Sequence, residues 1–360
     1  MELDNCESIF FIPESFREAA LNEIKCYSVD GLPEHKIVHP YTSWLEESNY
    51  QNPTKICSSV MGDFDRALNS HKLDVLFILG DRYEALALSL VSVLKSVKIA
   101  HIHGGETSAG SMDDRFRHAI TKLSDFHFVS HEEHARRVRR LGAIPHNVFD
   151  VGSLGVERVK KMSLLSPEQL EASLGIKLAN RNILVTFHPE TEERDFGLGN
   201  FSVLLEVLAE IDGLNTFFST PNSDPAGEKL MEKIREACTD HSERFHVLRN
   251  MGQVGYLSLA KACDCVCGNS SSGLIELPAI GGKVLDLGLR QKGRRADDRV
   301  VRLAEYTRTR LKKALVDLMD KNTHGEKLIS GPFERAVFAS KLIVDETVRI
   351  LTQKCERELG

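Results

Sequence analysis

From residue 61 onward the chain repeats one unit: a short apolar run, a polar or glycine-rich turn, then a stretch of helical period. LDVLFILG (73–80) predicts a strand and RYEALALSLVSVLKS the helix after it. VKIAHIH (97–103) is the next strand, DRFRHAITKLS (114–124) a helix and FHFVS (126–130) a strand. HEEHARRVRRLG then reads as a helix closed at Gly142, with VFDVG (148–152) one more strand. The series restarts after VERVKKMSLLSPEQLEASLGI, with strands predicted in NILVTFHPE (182–190), NTFFSTPNSD (215–224), RFHVLRN (244–250), CDCVCGNSSSG (263–273) and GKVLDLGLR (282–290). FSVLLEVLAEI (201–211) and AGEKLMEKIREAC are helical between them, and residues 333–357 form one long amphipathic helix. Alternation of this kind builds parallel sheets covered on both faces. The expected fold is therefore α/β: two doubly wound, Rossmann-like domains meeting near residues 153–165. The divisions are 1–155, 156–332 and a final helix in 333–360. The first 60 residues break the rhythm: SIFFI (8–12) offers a strand and ESFREAALNEIK (14–25) a helix, but HPYTSWLEESNYQNPTK is irregular.

Composition narrows the function classes. The 360 residues are 42% hydrophobic and 27% charged, an ordinary globular balance for two domains. A net charge of -6 and a pI of about 6.2 give no basic stripe for nucleic acid, and ARRVRR (135–140) reads as the solvated face of a helix. The most apolar stretch, ALALSLVSVL (85–94), is too short to span a bilayer, and no opening segment resembles a signal peptide. A cytoplasmic protein with reduced thiols is expected, without nucleic-acid or membrane partners. Of eight cysteines, Cys263, Cys265 and Cys267 alternate, which places all three on one face of a buried strand rather than around a metal.

Candidate chemistry collects at strand ends, where open α/β sheets bind ligands. Asp81 and Arg82 follow one strand; His101, His103 and Glu106 lie on and after the next, at the two glycines of HIHGGE. Asp113 and Asp114 then open a helix, where a carboxylate is either a cap or a catalytic group. Crowded carboxylates raise one another's pKa, which suits acid and base roles. In the second half, GNSSSG (268–273) joins a strand to a helix, so that glycines, free backbone N–H groups and hydroxyls make an anion site or a serine N-cap. His188 stands at a facing strand end, and Arg290 and Arg294 in LGLRQKGRR lie near a nucleotide or diphosphate.

The motifs GDRYEALA, HIHGGE, DDRFRHAITKLS, VFDVGSLG, VTFHPET, PNSDP, GNSSSGLIE and LGLRQKGR, in order across residues 61–300, resemble the hydrolysing UDP-N-acetylglucosamine 2-epimerases. The resemblance implies a glycosyltransferase-B-like fold with the UDP-sugar in the interdomain cleft and the last helix returning to the first domain. It implies elimination of UDP across C1–C2, then addition of water to give N-acetylmannosamine and UDP, for sialic-acid synthesis. No metal or nicotinamide cofactor is implied, and a homo-oligomer, dimer or tetramer, is. By the same resemblance Asp81, Glu106 and Asp113 are the catalytic carboxylates, with Glu106 and Asp113 transferring protons and His188 supporting the diphosphate or the water. Arg82, His103, Ser270, Ser271, Ser272 and Gly273 would bind substrate, with Glu276 on the ribose and Arg290 on the nucleotide side. One departure is plain: the family's opening strand runs into an Arg-bearing turn close to an RADY pattern, and no such motif occurs here. IFFIPESFRE, with Arg17, is what stands in its place. A UDP-2,4-diacetamido-6-deoxyhexose substrate, a UDP-binding homologue without activity and a glycosyltransferase are the alternatives.

Overall fold

The computed structural model describes residues 9–11, 36–38, 52–221, 226–248, 251–297, 299–320 and 338–358. Arg17 and the candidate helix 14–25 lie outside the described residues, as do 222–225 of PNSDP and the start of the final amphipathic segment.

Twelve strands are described, all paired in parallel. β1 (Ile9–Phe11) and β2 (Lys36–Val38) pair with each other. β3 (Val75–Leu79), β4 (Lys98–Ile102), β5 (Phe126–Val129) and β6 (Val148–Asp150) form a four-stranded sheet in that order. β7 (Arg181–Thr186), β8 (Leu214–Phe218), β9 (Phe245–Val247), β10 (Cys265–Gly268), β11 (Val284–Leu287) and β12 (Val300–Leu303) form the second sheet. Its order is β12-β11-β10-β7-β8-β9, so the winding direction reverses between β7 and β10. That reversal opens a crevice at the carboxyl ends of these two strands, where such sheets take their ligands.

The inner strands of the second sheet are buried on both faces, as parallel sheets require. Along the second sheet Ile183, Val185, Cys265, Cys267, Leu285 and Leu287 face one cluster, built on the helices Leu198–Ala209 and Arg308–Met319. The alternate residues Leu184, Val266 and Val284 face the opposite cluster with Leu257 and Leu277. Cys263 belongs to that opposite cluster, which corrects the expectation of three cysteines on one face. It is the residue that closes the helix Gly252–Ala262, two positions before β10 begins, so strand alternation does not govern it.

In the first sheet Ile78 and Ile99 pack with Ile120 of the helix Asp113–Leu123 on one face. Ala100, Ile102 and Phe128 pack on the other with Ile343, from the helix Ala339–Glu358. Arg349 of that helix stands 5.9 Å from the Phe149 ring centroid. Several elements lie where none was predicted, among them β2 and the helices Gly252–Ala262 and Arg308–Met319. The helix Pro53–Ser70 begins within the stretch read as irregular; the Asn52 side chain accepts the N–H groups of Thr54 and Lys55, and Pro53 opens the first turn. The edge strand β12 escaped because only its last residue, Leu303, is buried.

Candidate active site at the cleft between the sheets

The carboxyl ends of β3 and β4 and the start of the helix Asp113–Leu123 face the crevice of the second sheet. Leu79, Gly80, Asp81, His103, Glu106, Ser108, Ser111, Asp113 and Arg117 line the cleft from one side, and Ser271, Arg290, Gln291 and Arg294 from the other.

The HGGE turn is shaped by steric demand. His103 takes φ +65° and Gly105 φ +77°, a left-handed region that glycine enters freely and histidine at a cost. A Cβ on Gly105 would stand 2.6 Å from the His134 carbonyl oxygen, and one on Gly104 2.8 Å from His101 Nδ1. His101 is wholly buried; Nε2 lies 2.9 Å from the Gly80 carbonyl and Nδ1 3.2 Å from Thr121 Oγ1, which ties the Asp81 turn to the neighbouring helix. Burial pulls its pKa down to about 4, so it is neutral and structural.

Glu106 is buried with both oxygens occupied. His103 Nδ1 and Ser130 Oγ each donate to Oε1 at 2.8 Å, and Arg294 forms an ion pair with Oε2 across the cleft. Ser130 spends its proton on Glu106, so His134 Nδ1, 3.0 Å from the same hydroxyl, is the donor there. Burial alone raises the Glu106 carboxyl, but Arg294, His103 and His134 outweigh it and hold it well below the usual range. The expected mutual raising of crowded carboxylates is thus not what governs Glu106: its ion-pair partner is the Arg294 cation. Arg137 of ARRVRR donates to the Gly105 carbonyl, so that run is more than a solvated face.

Asp81 pairs with the buried guanidinium of Arg117, which also reaches Asp114 Oδ1 at 3.3 Å. Asp113 is the first residue of its helix, after the N-cap Met112; its Oδ2 accepts from Ser111 Oγ at 3.1 Å and lies 4.0 Å from Arg290 Nη2. Arg82 turns aside, with Nε 3.2 Å from Glu84 Oε2 and its guanidinium 4.9 Å from the Tyr83 ring, and is not among the lining residues.

On the opposite side Ser270 precedes the helix Ser271–Ala279 without a side-chain cap bond, so the serine-cap alternative is not realised. Ser271 lines the cleft. Ser270 and Ser272 hydroxyls lie 3.0 Å apart, and Ser272 reaches Tyr256 Oη at 3.2 Å. Gly273 is buried against Val284. Burial raises the Glu276 carboxyl against the pull of His103, Arg294 and Arg158, which places it close to the cleft without lining it. The His188 backbone is clamped to Asn269: its N–H donates to Oδ1 at 2.7 Å and its carbonyl accepts from Nδ2 at 2.9 Å. Among the described residues no group of three or more His, Cys, Asp or Glu is placed to hold a metal ion, and no helix is long and apolar enough to cross a membrane.

The arrangement brings Asp81, His103, Glu106, Asp113, Ser271 and Arg290 together as lining residues and leaves Arg82, His188, Ser270, Ser272, Gly273 and Glu276 outside that lining. Sequence reasoning missed Arg117, Ser130, His134 and Gln291. Only Arg117 left a local signal, since positions 113, 114 and 117 share one helix face.

Residues 31–345 match the sequence profile of a family described as UDP-N-acetylglucosamine 2-epimerase. The GDP/UDP-N,N'-diacetylbacillosamine 2-epimerase (hydrolyzing) of Campylobacter jejuni is 34% identical over 261 residues, covering 72% of this chain and 68% of that protein. The UDP-N-acetylglucosamine 2-epimerase of Neisseria meningitidis is 31% identical over 262 residues, 69% of this chain and 68% of that one. In fold, the crystal structure of a Neisseria meningitidis UDP-GlcNAc 2-epimerase bound to UDP-GlcNAc superposes with a TM-score of 0.71 at 14% identity, over 95% of this chain and 99% of that chain. The Methanocaldococcus jannaschii enzyme in complex with UDP-GlcNAc and UDP gives 0.68 at 16%, over 97% and 100%. With a profile match that spans most of its length and relatives above 30% identity, the chain belongs to the UDP-N-acetylglucosamine 2-epimerase family, enzymes of the UDP-sugar 2-epimerase type with a glycosyltransferase-B-like fold.

Proposed function

We propose that this protein is a hydrolysing 2-epimerase that converts UDP-N-acetylglucosamine and water to N-acetylmannosamine and UDP. The observation that carries the reading is the meeting of Asp81, Glu106 and Asp113 with Ser271, Arg290 and Arg294 in one cleft. On this reading a carboxylate takes the C2 proton, the C1–O bond breaks with its electron pair leaving on UDP, and a C1=C2 double bond forms. Water then adds through oxygen to C1, and C2 receives a proton on the opposite face. The leaving diphosphate is stabilised by Arg290, Arg294 and the open amides at the start of the helix Ser271–Ala279, with His188 beside them. Glu276 serves the ribose hydroxyls. Asp81, held by its Arg117 partner, stabilises positive charge growing at C1.

Glu106 starts the cycle as proton acceptor, because Arg294 and His103 keep it ionised. A diphosphate that draws Arg294 toward itself removes positive charge from Glu106 and makes it a stronger base. Asp113, facing Arg290, is then the partner that handles the second proton. A second reading has an observation in its favour: the name of the Campylobacter relative points to the same chemistry on a UDP-2,4-diacetamido-6-deoxyhexose.

Proton NMR of the purified chain with each UDP-sugar tests both. Free N-acetylmannosamine with UDP from the first substrate is the expected result; turnover of the diacetamido sugar alone selects the second reading. A UDP-bound epimer would replace the hydrolysing chemistry, and silence with both sugars would refute the proposal.

A further inference from the structure

We propose that Glu190 is a positioning residue: its buried carboxylate holds the backbone turn 288–290, and through that turn it sets Arg290 against Asp113 in the cleft. The inference rests on the reading of the cleft as the UDP-sugar site.

Glu190 follows β7 by four residues and lies outside the cleft lining, yet its Oε1 accepts the Leu289 N–H at 3.1 Å in the turn after β11. Asn269, after β10, clamps the His188 backbone, and its carbonyl accepts from Gln291 Nε2 at 2.9 Å. Glu190 and Asn269 together therefore tie the loop after β7, the phosphate-side turn after β10 and the Arg290 turn after β11. Glu190, Asn269, Arg290 and Gln291 are all buried.

The sequence has been fitted around this carboxylate. Gly288 takes φ +76°, and a Cβ there would run into Glu190 Oε1. Gly197, at φ +78°, leaves Oε2 3.0 Å from where its own Cβ would stand. Two residues in left-handed backbone thus border one acidic side chain, and the Leu289 N–H beyond Gly288 points at it. A backbone donor fixed by a buried acceptor one residue before Arg290 limits where that side chain starts. Its Nη2 stands 4.0 Å from Asp113 Oδ2, a contact that, with Arg294–Glu106, links the two sheets at the reacting centre.

A double-mutant cycle of Glu190→Gln and Arg290→Ala tests this, with amide exchange across residues 288–291 followed in parallel. The carboxamide of the first variant keeps one acceptor but loses the charge that strengthens its bond to the Leu289 N–H, and it brings an NH₂ group into a buried site. The expected result is about a tenfold fall in kcat/KM for Glu190→Gln. In the Arg290→Ala background the same change should cost under about twofold, because the effect travels through Arg290. The Leu289 amide should exchange faster in Glu190→Gln. Equal penalties in both backgrounds would mean a merely structural role and overturn the proposal. So would unchanged exchange at Leu289, a result that needs no turnover. If no UDP-sugar is turned over by the wild type, the functional reading fails while the exchange data still judge the turn. Should Glu190→Gln not fold, Gly288→Ala displaces the same carboxylate from the other side and must give the same loss of protection.

Discussion

Around Glu106, three donors divide two carboxylate oxygens, and only one of them, Arg294, comes from the other sheet. That asymmetry makes Arg294 the donor most readily tested. Replacing it with methionine removes a cation and leaves burial, which pushes the Glu106 pKa upward. The acid limb of a kcat/KM against pH profile should therefore move to higher pH in Arg294→Met. A limb that stays put would show that Glu106 is not the group titrating there. How much of this was legible beforehand depends on distance along the chain. Asp81, Glu106 and Asp113 announce themselves as carboxylates at strand ends, and Ser271 as part of a glycine-bounded turn. Arg294 meets Glu106 across 188 positions and Glu190 meets Leu289 across 99, and no local pattern encodes either meeting. Arg82 is the opposite case: Glu84, two residues on, takes its guanidinium before the cleft is reached.

At the scale of elements, strands of the two sheet interiors were readable because both faces are buried and the run is continuously apolar. The helix Pro53–Ser70 buries Ile56, Val60, Asp63 and Phe64, a stripe of helical spacing that one carboxylate interrupts. Its start was nevertheless written in the chain, as an Asn followed by Pro. Asn52→Ala removes the acceptor for two backbone donors and should cost about 1 kcal/mol, read from the denaturant midpoint of the first domain. A loss near zero would mean that tertiary packing of Ile56 and Val60 alone defines where this helix begins. β12 gave no comparable signal, since an edge strand with exposed residues at its centre lacks both alternation and a buried run.

For the molecule as a whole, the two halves are set to answer acid in opposite senses. His101, His127 and His134 are buried in the first domain, and desolvation takes each of them down to about 4. Their contribution is complete above the unfolded value of about 6.5 and is lost as pH falls toward 4, by roughly 3 kcal/mol each if wholly realised. In the second sheet, burial raises Asp286 to about 7, against the pull of Arg302. Its ionised form is a cost that is complete above pH 7 and relieved as pH falls toward 4. Calorimetry at pH 7 and pH 5 should therefore show the first domain melting earlier at the lower pH, separating from the second. A single transition that shifts without splitting would contradict this.

The helix Ala339–Glu358 has a consequence for how the protein is made. It lays Ile343 on a face of the first sheet whose other members, Ala100, Ile102, Phe128 and Val151, leave the ribosome about 190 residues or more earlier. At roughly 5–20 residues per second that apolar face waits about ten seconds or more for its cover. During synthesis that patch of the first half stays without its Ile343 cover until the helix Ala339–Glu358 arrives.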